Sequence, residues 1–575
     1  MNRDCAWKSI SERQRKRGLN RVCTEHTSRE GKVLPVRKRF KVRATVLCMS
    51  LLFVFVFIAG RVAILSGNRS YAAAAFAQSA SYLELDPGRG NIYDCHFTPL
   101  TNAVKIKCVL ITPEKESYYD LFDLVPSDLR SELYESIQKS RPFLLPVTGE
   151  TKEDYPVFYR TERYFPSPIA VHLIGYVNGN GNGVSGIELA CDELLQGGDT
   201  LRRVYSATSA QGAFLDQLTP RVVETRGSGA GVMLTLDASV QRVCEAVARE
   251  MMEKGSIVVM ETDTGRILAS VSMPEYDPDN PSASIDAQDS PFLNRSISAY
   301  NVGSVFKPLL AAAAIEQGIP AETTYHCTGS ITVAGHTYRC AYGKGHGDVD
   351  LTAALEQSCN CYFIQLGLTL GGDVIEQYAS RAGFGESIQI VGELYSAAGN
   401  LPSAQKLGNL GELASISFGQ GSLLATPVQV TAFMNAIANG GMYVSPSFVQ
   451  GYVDGYSKTV TENLYAPVMR RVCSEETAAR VTQMLVGVVE EGLGHEARPT
   501  QGNAAGKTGT AQTGRMDEEG NEKMDVWFSG FFPADDPAYT VTVMLDDDAQ
   551  DSGAACRIFA RVASALAYFE PQSGA

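Results

Sequence analysis

Ser304-Val305-Phe306-Lys307 stands just ahead of the apolar run Leu309–Ile315, at the start of a helix that this run buries. Gly303 permits a tight turn before the serine. Pro308 falls in the first helical turn, where a missing N–H costs little. Gly318 offers a C-cap. Residues i and i+3 share a helix face, so Ser304 and Lys307 point the same way. Downstream stand Ser358-Cys359-Asn360, then Lys507-Thr508-Gly509 followed by Thr510. In that order the three motifs supply a nucleophile with a base one turn away, a second hydroxyl with an amide, and a cationic strand edge. Acyl transfer through serine and lysine needs those parts.

Each fragment alone is weak. S-x-x-K recurs at Ser136–Lys139 and Ser403–Lys406, and S-x-N at Ser66-Gly67-Asn68. A lone S-x-x-K usually marks a solvated helix face, Asn360 alone reads as a helix-end cap, and Lys507 alone reads as a surface strand residue. The ordered set in its helical context is what points to a site.

The chemistry follows from the residue types. A serine hydroxyl attacks poorly until a neighbour takes its proton, and lysine can do so only when burial or nearby positive charge lowers its pKa. Lys507 can supply that second cation. Ser358 can relay a proton, and Asn360 can hold a substrate amide or Lys307 itself. Lys507, Thr508 and Thr510 suit a substrate carboxylate. The backbone N–H groups of Ser304 and Thr510 can bind an oxyanion where a helix start meets a strand edge.

The 575 residues are too many for one core, so several domains are expected. The formal net charge of −14 hides a basic start containing Arg13, Arg15, Lys16, Arg17, Lys38 and Lys41, so the remainder is more acidic still. A nucleic-acid partner for the main body is not expected on that ground. Residues 1–43 read as a disordered cytoplasmic tail. Residues 44–65 are a nearly continuous apolar run, interrupted by Arg61 and long enough to cross a bilayer, and the basic flank places the N-terminus inside. A cleaved signal peptide is the rival reading, with small-residue pairs across Ala72–Ala80. The helix is expected to run outward through Ala72–Ser81.

From Tyr82 to about Gly229 the sequence is mixed and turn-rich, with a flexible loop at Gly179–Gly183. Arg226–Gly231 reads as a linker, which divides residues 66–230 from residues 231–575. After it, strands are expected over Val232–Leu236, Ser256–Glu261 and Arg266–Ser272, with a helix over Ala238–Lys254. Helices are expected over Ser304–Gln317, Leu351–Leu370 and Thr426–Asn439. Strands over Gly506–Gln512, Val526–Phe532 and Tyr539–Leu545 and a helix over Ala555–Phe569 close the chain. Two early strands and three late ones make one antiparallel sheet with helices between and around it, an α+β class.

Thirteen cysteines are present. Cys5, Cys23 and Cys48 precede or enter the apolar segment. Cys327 and Cys340 bracket a hairpin centred on Ala334-Gly335, whose ends a disulfide can bridge. Cys359 and Cys361 share a face on a strand but diverge on a helix. Zinc held by Cys327, Cys340, His336 or His346 matches no recognised ligand spacing, so no metal and no cofactor is expected.

The ordered triple resembles the penicilloyl-serine transferases, which include penicillin-binding proteins and serine β-lactamases. Arg89-Gly90-Asn91-Ile92-Tyr93-Asp94 and Gly183-Val184-Ser185-Gly186-Ile187-Glu188 resemble the pedestal-domain signatures of class B penicillin-binding proteins. Leu234-Thr235-Leu236-Asp237 with Gln241 resembles the opening of their transpeptidase domain. Ser417–Gly421, Thr426–Gln429 and Trp527–Phe531 resemble further family stretches. Cys95-His96-Phe97 departs from the usual Arg-Asn-Gly, and Thr101 from the frequent alanine.

The resemblance implies a membrane anchor, a pedestal domain and a penicillin-binding transpeptidase fold with a five-stranded sheet and an all-helical subdomain. It implies a D,D-transpeptidase that cross-links peptidoglycan stem peptides through Ser304, is acylated there by β-lactams, and works with a polytopic glycan polymerase. Alternatives are a D,D-carboxypeptidase or β-lactamase-type hydrolase, or a catalytically idle scaffold of a cell-wall complex. No glycosyltransferase segment precedes the pedestal, so a bifunctional enzyme is not expected.

Overall fold

The computed structural model describes residues 36–67, 80–111, 121–122, 125, 130–139, 142–147, 155–207, 220–516, 520, 522–546, 551 and 553–569. Most of the basic tail, Cys5, Cys23 and the stretch 72–79 lie outside the described residues. The chain divides into residues 1–79 and residues 80–575.

In the first unit a helix spans Val36–Gly67. Its segment Arg39–Leu65, 27 residues of mean hydropathy 2.4, is apolar enough to cross a membrane. At about 1.5 Å per residue it extends roughly 40 Å, against a hydrocarbon core of about 30 Å. The helix starts before the apolar run because lysine and arginine are good helix formers.

The second unit opens with a strand, Ala80–Pro87, where the end of the outward helix was expected. It pairs with Leu201–Ala207, which pairs with Arg221–Thr225. The two sequences that resemble pedestal signatures are joined by buried charge. Arg89 Nε and Arg163 Nε each donate to Glu188, both at 2.7 Å, and Arg89 Nη1 reaches Asp192 at 2.7 Å. The Gly179–Gly183 stretch is not loose. Gly181 donates to the Asn178 carbonyl, its own carbonyl accepts from Arg89, and a Cβ on Gly183 would lie 2.0 Å from the Glu188 carbonyl oxygen.

The supposed linker is also pinned. Side chains at Gly227 and Gly229 would collide with the Asp199 carbonyl and with Asp454, so these glycines serve close approach. Directly after them Ala230–Leu234 pairs in parallel with Ile92–Tyr93 and antiparallel with Val449–Asp454, which ties early and late chain into one sheet.

The main sheet has the order Ile267–Met273, Gly255–Glu261, Tyr539–Leu545, Glu522–Phe532, Ala505–Met516, with every neighbour antiparallel. Helices Ala238–Met251 and Ala554–Leu566 cover one face around Phe528, Val541 and Phe559. The opposite face meets a larger apolar core that includes Phe306, Leu310, Phe433 and Trp527. At the heart of that core lies the helix Lys307–Glu316, whose residues Lys307–Ala314 are all buried. Its alanines let neighbouring helices approach closely. It ends as expected at Gly318 (φ 76°), with Ile319 donating to the Ala314 carbonyl and Gly318 to that of Ile315. Thr426 and Gln429 form a reciprocal capping box on helix Pro427–Ala438.

The single helix expected over Leu351–Leu370 is two, Leu351–Glu356 and Asn360–Leu370. The chain reverses at Ser358, a non-glycine residue held at φ 51°. Apolar periodicity on both sides concealed the break.

Candidate active site

A 3₁₀ turn, Gly303–Phe306, precedes the buried helix and carries Ser304 half-exposed at its mouth. Its position is set by backbone packing. Gly303 sits at φ 62°, and a Cβ there would lie 2.9 Å from the Thr510 carbonyl oxygen. Gly509 faces the turn from the strand, and a Cβ there would lie 2.9 Å from Val305 Cγ1. Gly419 supports the turn from behind: its carbonyl accepts from Gly303 N at 2.8 Å, and a Cβ on Gly419 would overlap the Gly303 carbonyl. Glycine at these three points is what lets the serine turn touch the edge strand. Trp527 opposes Gly509 across the sheet and donates from Nε1 to the Asn301 carbonyl at 3.0 Å, fixing the approach to the turn.

Lys307 is fully buried. Its Nζ donates to the Ser358 carbonyl at 2.7 Å and to Asn360 Oδ1 at 2.8 Å, and it lies 3.1 Å from Ser358 Oγ. The left-handed conformation of Ser358 turns its carbonyl and hydroxyl toward this amine. Asn360 in turn donates from Nδ2 to the Arg339 carbonyl at 3.1 Å. Burial brings the Lys307 pKa down to about 7, outweighing the opposite pull of the thiols of Cys340, Cys359 and Cys361. A neutral amine has two N–H groups and one lone pair. The two carbonyl-type oxygens can take the N–H groups, which leaves the lone pair for a hydroxyl proton.

Lys507 is also fully buried, paired in register with Ser529 on the edge strand Ala505–Met516. Burial, and then the charge of Lys307, holds its amine well below the ordinary lysine range. Its Nζ donates to the carbonyl and hydroxyl of Thr508 at 3.1 and 3.2 Å. Thr508 is half-buried and Thr510 exposed. The three motifs thus converge: Lys307 bonds the second, and the third packs on the turn of the first.

The decoys stay apart. Ser403 caps the short helix Ala404–Leu407, and Lys406 Nζ donates to the Ser422 hydroxyl at an exposed position. Ser136 lies on the separate helix Arg130–Gln138.

The hairpin expected between Cys327 and Cys340 is present as Ser330–Val333 paired with His336–Arg339, turning at Ala334-Gly335. The disulfide is not, since both cysteines are free. Cys340 instead faces Cys359 at 3.9 Å and His346 Nδ1 at 3.5 Å. His336 packs edge-on against Tyr338 and is not part of the cluster. Sequence spacing missed this gathering, because one of its members, Cys359, is brought in by the helix break at Ser358.

The sequence of residues 255–564, more than half of the chain, matches the family model for the penicillin-binding protein transpeptidase domain. Stage V sporulation protein D of Bacillus subtilis is 31% identical over 403 residues, which cover 67% of this chain and 60% of that protein. The peptidoglycan D,D-transpeptidase MrdA of Salmonella typhimurium is 26% identical over 571 residues, covering 85% and 89%. Among solved structures, the D,D-transpeptidase domain of a peptidoglycan glycosyltransferase from Eggerthella lenta aligns with a TM-score of 0.61 at 25% identity, over 83% of this chain and 98% of that one. A chain from a peptidoglycan synthase complex shares the fold with a TM-score of 0.63 at 24% identity, over 92% and 98%. With a buried lysine bonded to the second motif and a third motif packed on the serine turn, this chain belongs to the transpeptidase family of penicillin-binding proteins, in its class B branch.

Proposed function

We propose that the protein is a membrane-anchored peptidoglycan D,D-transpeptidase working through a Ser304 acyl-enzyme. The observation that carries this reading is the buried Lys307 amine, brought by burial to a pKa of about 7 and bonded to Ser358 and Asn360. Ser304 Oγ attacks the carbonyl carbon of the penultimate D-alanine of a stem peptide, and its proton passes to Lys307 Nζ. The N–H groups of Ser304 and Thr510 stabilise the oxyanion. Collapse breaks the amide bond, and the departing D-alanine amine takes a proton relayed by Ser358. An amine of a second stem peptide then attacks the ester carbonyl and loses a proton to the lysine–serine pair, and Ser304 leaves with its hydrogen restored. Lys507, Thr508 and Thr510 receive the terminal carboxylate of the donor. A β-lactam enters as a strained amide and stays as the ester.

Residues 44–65 anchor the chain, with the basic tail cytoplasmic and residues 66–230 as a pedestal for residues 231–575. The names of the related proteins, and the synthase complex among the solved structures, support stem peptides as substrate and a glycan polymerase as partner.

Full-length protein in detergent, given a fluorescent penicillin, acquires a covalent label that Ser304→Ala lacks. Product analysis with a stem-peptide donor and an amine acceptor yields the cross-linked dimer. Label retained in Ser304→Ala, or hydrolysis alone in the presence of acceptor, overturns the reading.

A further inference from the structure

Cys327, Cys340, His346 and Cys359 each bring one ligand atom to a common point, all within 4.8 Å of one another. We infer that these four residues bind a zinc ion and that the ion clasps the hairpin to the turn bearing Ser358 and Asn360.

Three of the donor–donor distances match the edges of a tetrahedron around a metal. With Zn–S about 2.3 Å and Zn–N about 2.0–2.1 Å, the sulfur–sulfur edge is about 3.8 Å and the sulfur–nitrogen edge about 3.5–3.6 Å. Cys340 Sγ lies 3.9 Å from Cys359 Sγ, and His346 Nδ1 lies 3.6 Å from Cys327 Sγ and 3.5 Å from Cys340 Sγ. The thiols are buried, at 2% exposure for Cys327, 5% for Cys340 and 0% for Cys359.

The backbone around them is built for the approach. Cys340 N donates to the Gly329 carbonyl at 2.9 Å. Gly329 and Gly345 both have φ above +80°, and a Cβ on Gly345 would lie 2.4 Å from the Cys327 carbonyl oxygen. Two loops can therefore cross closely enough for their side chains to meet. Tyr362 N donates to Cys359 Sγ at 3.5 Å, the kind of amide-to-sulfur bond that supports a metal-bound thiolate. Three sulfurs and an imidazole form a donor set suited to zinc rather than to calcium or magnesium.

The four ligands come from separate elements. Cys327 ends strand Tyr325–Cys327, Cys340 follows strand His336–Arg339, His346 precedes strand Gly347–Val349, and Cys359 caps helix Asn360–Leu370. Cys359 sits between Ser358 and Asn360, the two residues that hold the Lys307 amine. The ion therefore acts as a positioning element for the lysine's partners and touches no substrate. Metal binding stands apart from the proposed reaction; only its effect on acylation rests on that reading.

The test uses the full-length chain purified in detergent without chelator. Elemental analysis is expected to find about one zinc per chain. Cys327→Ser and His346→Ala are expected to retain less than a tenth of it, and Cys473→Ser to retain all. Cobalt(II) added to the metal-stripped wild type is expected to produce intense visible bands of tetrahedral sulfur ligation, a readout independent of activity and of whether the variants fold. Stripping zinc is expected to slow penicillin acylation about 10- to 100-fold, and zinc alone to restore it. Zinc absent from protein purified in its presence, or a Cys340–Cys359 disulfide recovered in peptide mapping of that protein, overturns the proposal. Zinc bound with acylation unchanged on stripping removes the positioning role.

Discussion

If Lys307 takes the serine proton, acylation by a β-lactam must rise with pH along one limb centred on that amine. Burial brings it to about 7. The neutral amine accepts a proton and the ammonium cannot, so activity belongs to the high-pH side. For one site, the neutral fraction is roughly a tenth at pH 6 and nine-tenths at pH 8. The second-order acylation constant, followed with a chromogenic cephalosporin from pH 5.5 to 9, should climb about tenfold between those points and then flatten. Asn360→Ala should move the limb. Asn360 Oδ1 accepts from Nζ at 2.8 Å. A hydrogen bond to a charged group contributes about 1.5–3 kcal/mol and a neutral one about 0.5–1.5 kcal/mol, so losing this acceptor costs the ammonium about 1 kcal/mol more than the amine. One pH unit is about 1.4 kcal/mol. The midpoint should therefore fall by roughly 0.7 unit, even as the plateau drops. A midpoint near 10, that of an exposed lysine, or an unmoved midpoint in Asn360→Ala, refutes the assignment of the base.

Three further outcomes test the frame around the site. Gly303→Ala forces a left-handed alanine against the Thr510 carbonyl, at a cost of about 1–2 kcal/mol from conformation alone; acylation should slow at least tenfold while circular dichroism stays native, and an unaltered rate would show that the turn need not touch the strand. Glu188→Ala leaves Arg163 buried without a carboxylate and Arg89 with Asp192 alone, so urea denaturation should report a loss of about 3–5 kcal/mol, and a loss below 1 kcal/mol would show the arginines to be solvated. Trp527→Phe removes the donor to the Asn301 carbonyl and should cost about 1–3 kcal/mol, read in the same assay.

The strands around the serine helix were legible because their signals are local. Alternation and turn residues mark Tyr539–Leu545, and the sheet contains it with those bounds. Gly318 ended the helix after Ser304 where its left-handed preference said it would. Glycines elsewhere misled. Those of Arg226–Gly231 and Gly179–Gly183 read as flexibility, yet at Gly183, Gly227 and Gly231 another backbone comes too near for a Cβ. Composition cannot tell these uses apart, because the contact that demands a glycine comes from chain far away in sequence.

The break at Ser358 is the sharpest case, and it explains why site residues were easier to name than to arrange. Apolar periodicity runs on through Leu351–Leu370, and no proline or glycine interrupts it between Leu351 and Asn360. An unbroken helix would spend the Ser358 carbonyl on a backbone N–H four residues on. Broken, it leaves that oxygen for Lys307 at 2.7 Å and starts a new helix with Cys359 as its cap. A serine at positive φ is costly by itself. Here the buried amine accounts for it, since desolvating Lys307 without these oxygens would cost more than the strained turn. The lysine and the break are thus one feature, written at two places about fifty residues apart. A helix signal read locally therefore goes wrong at the residues the proposed chemistry uses.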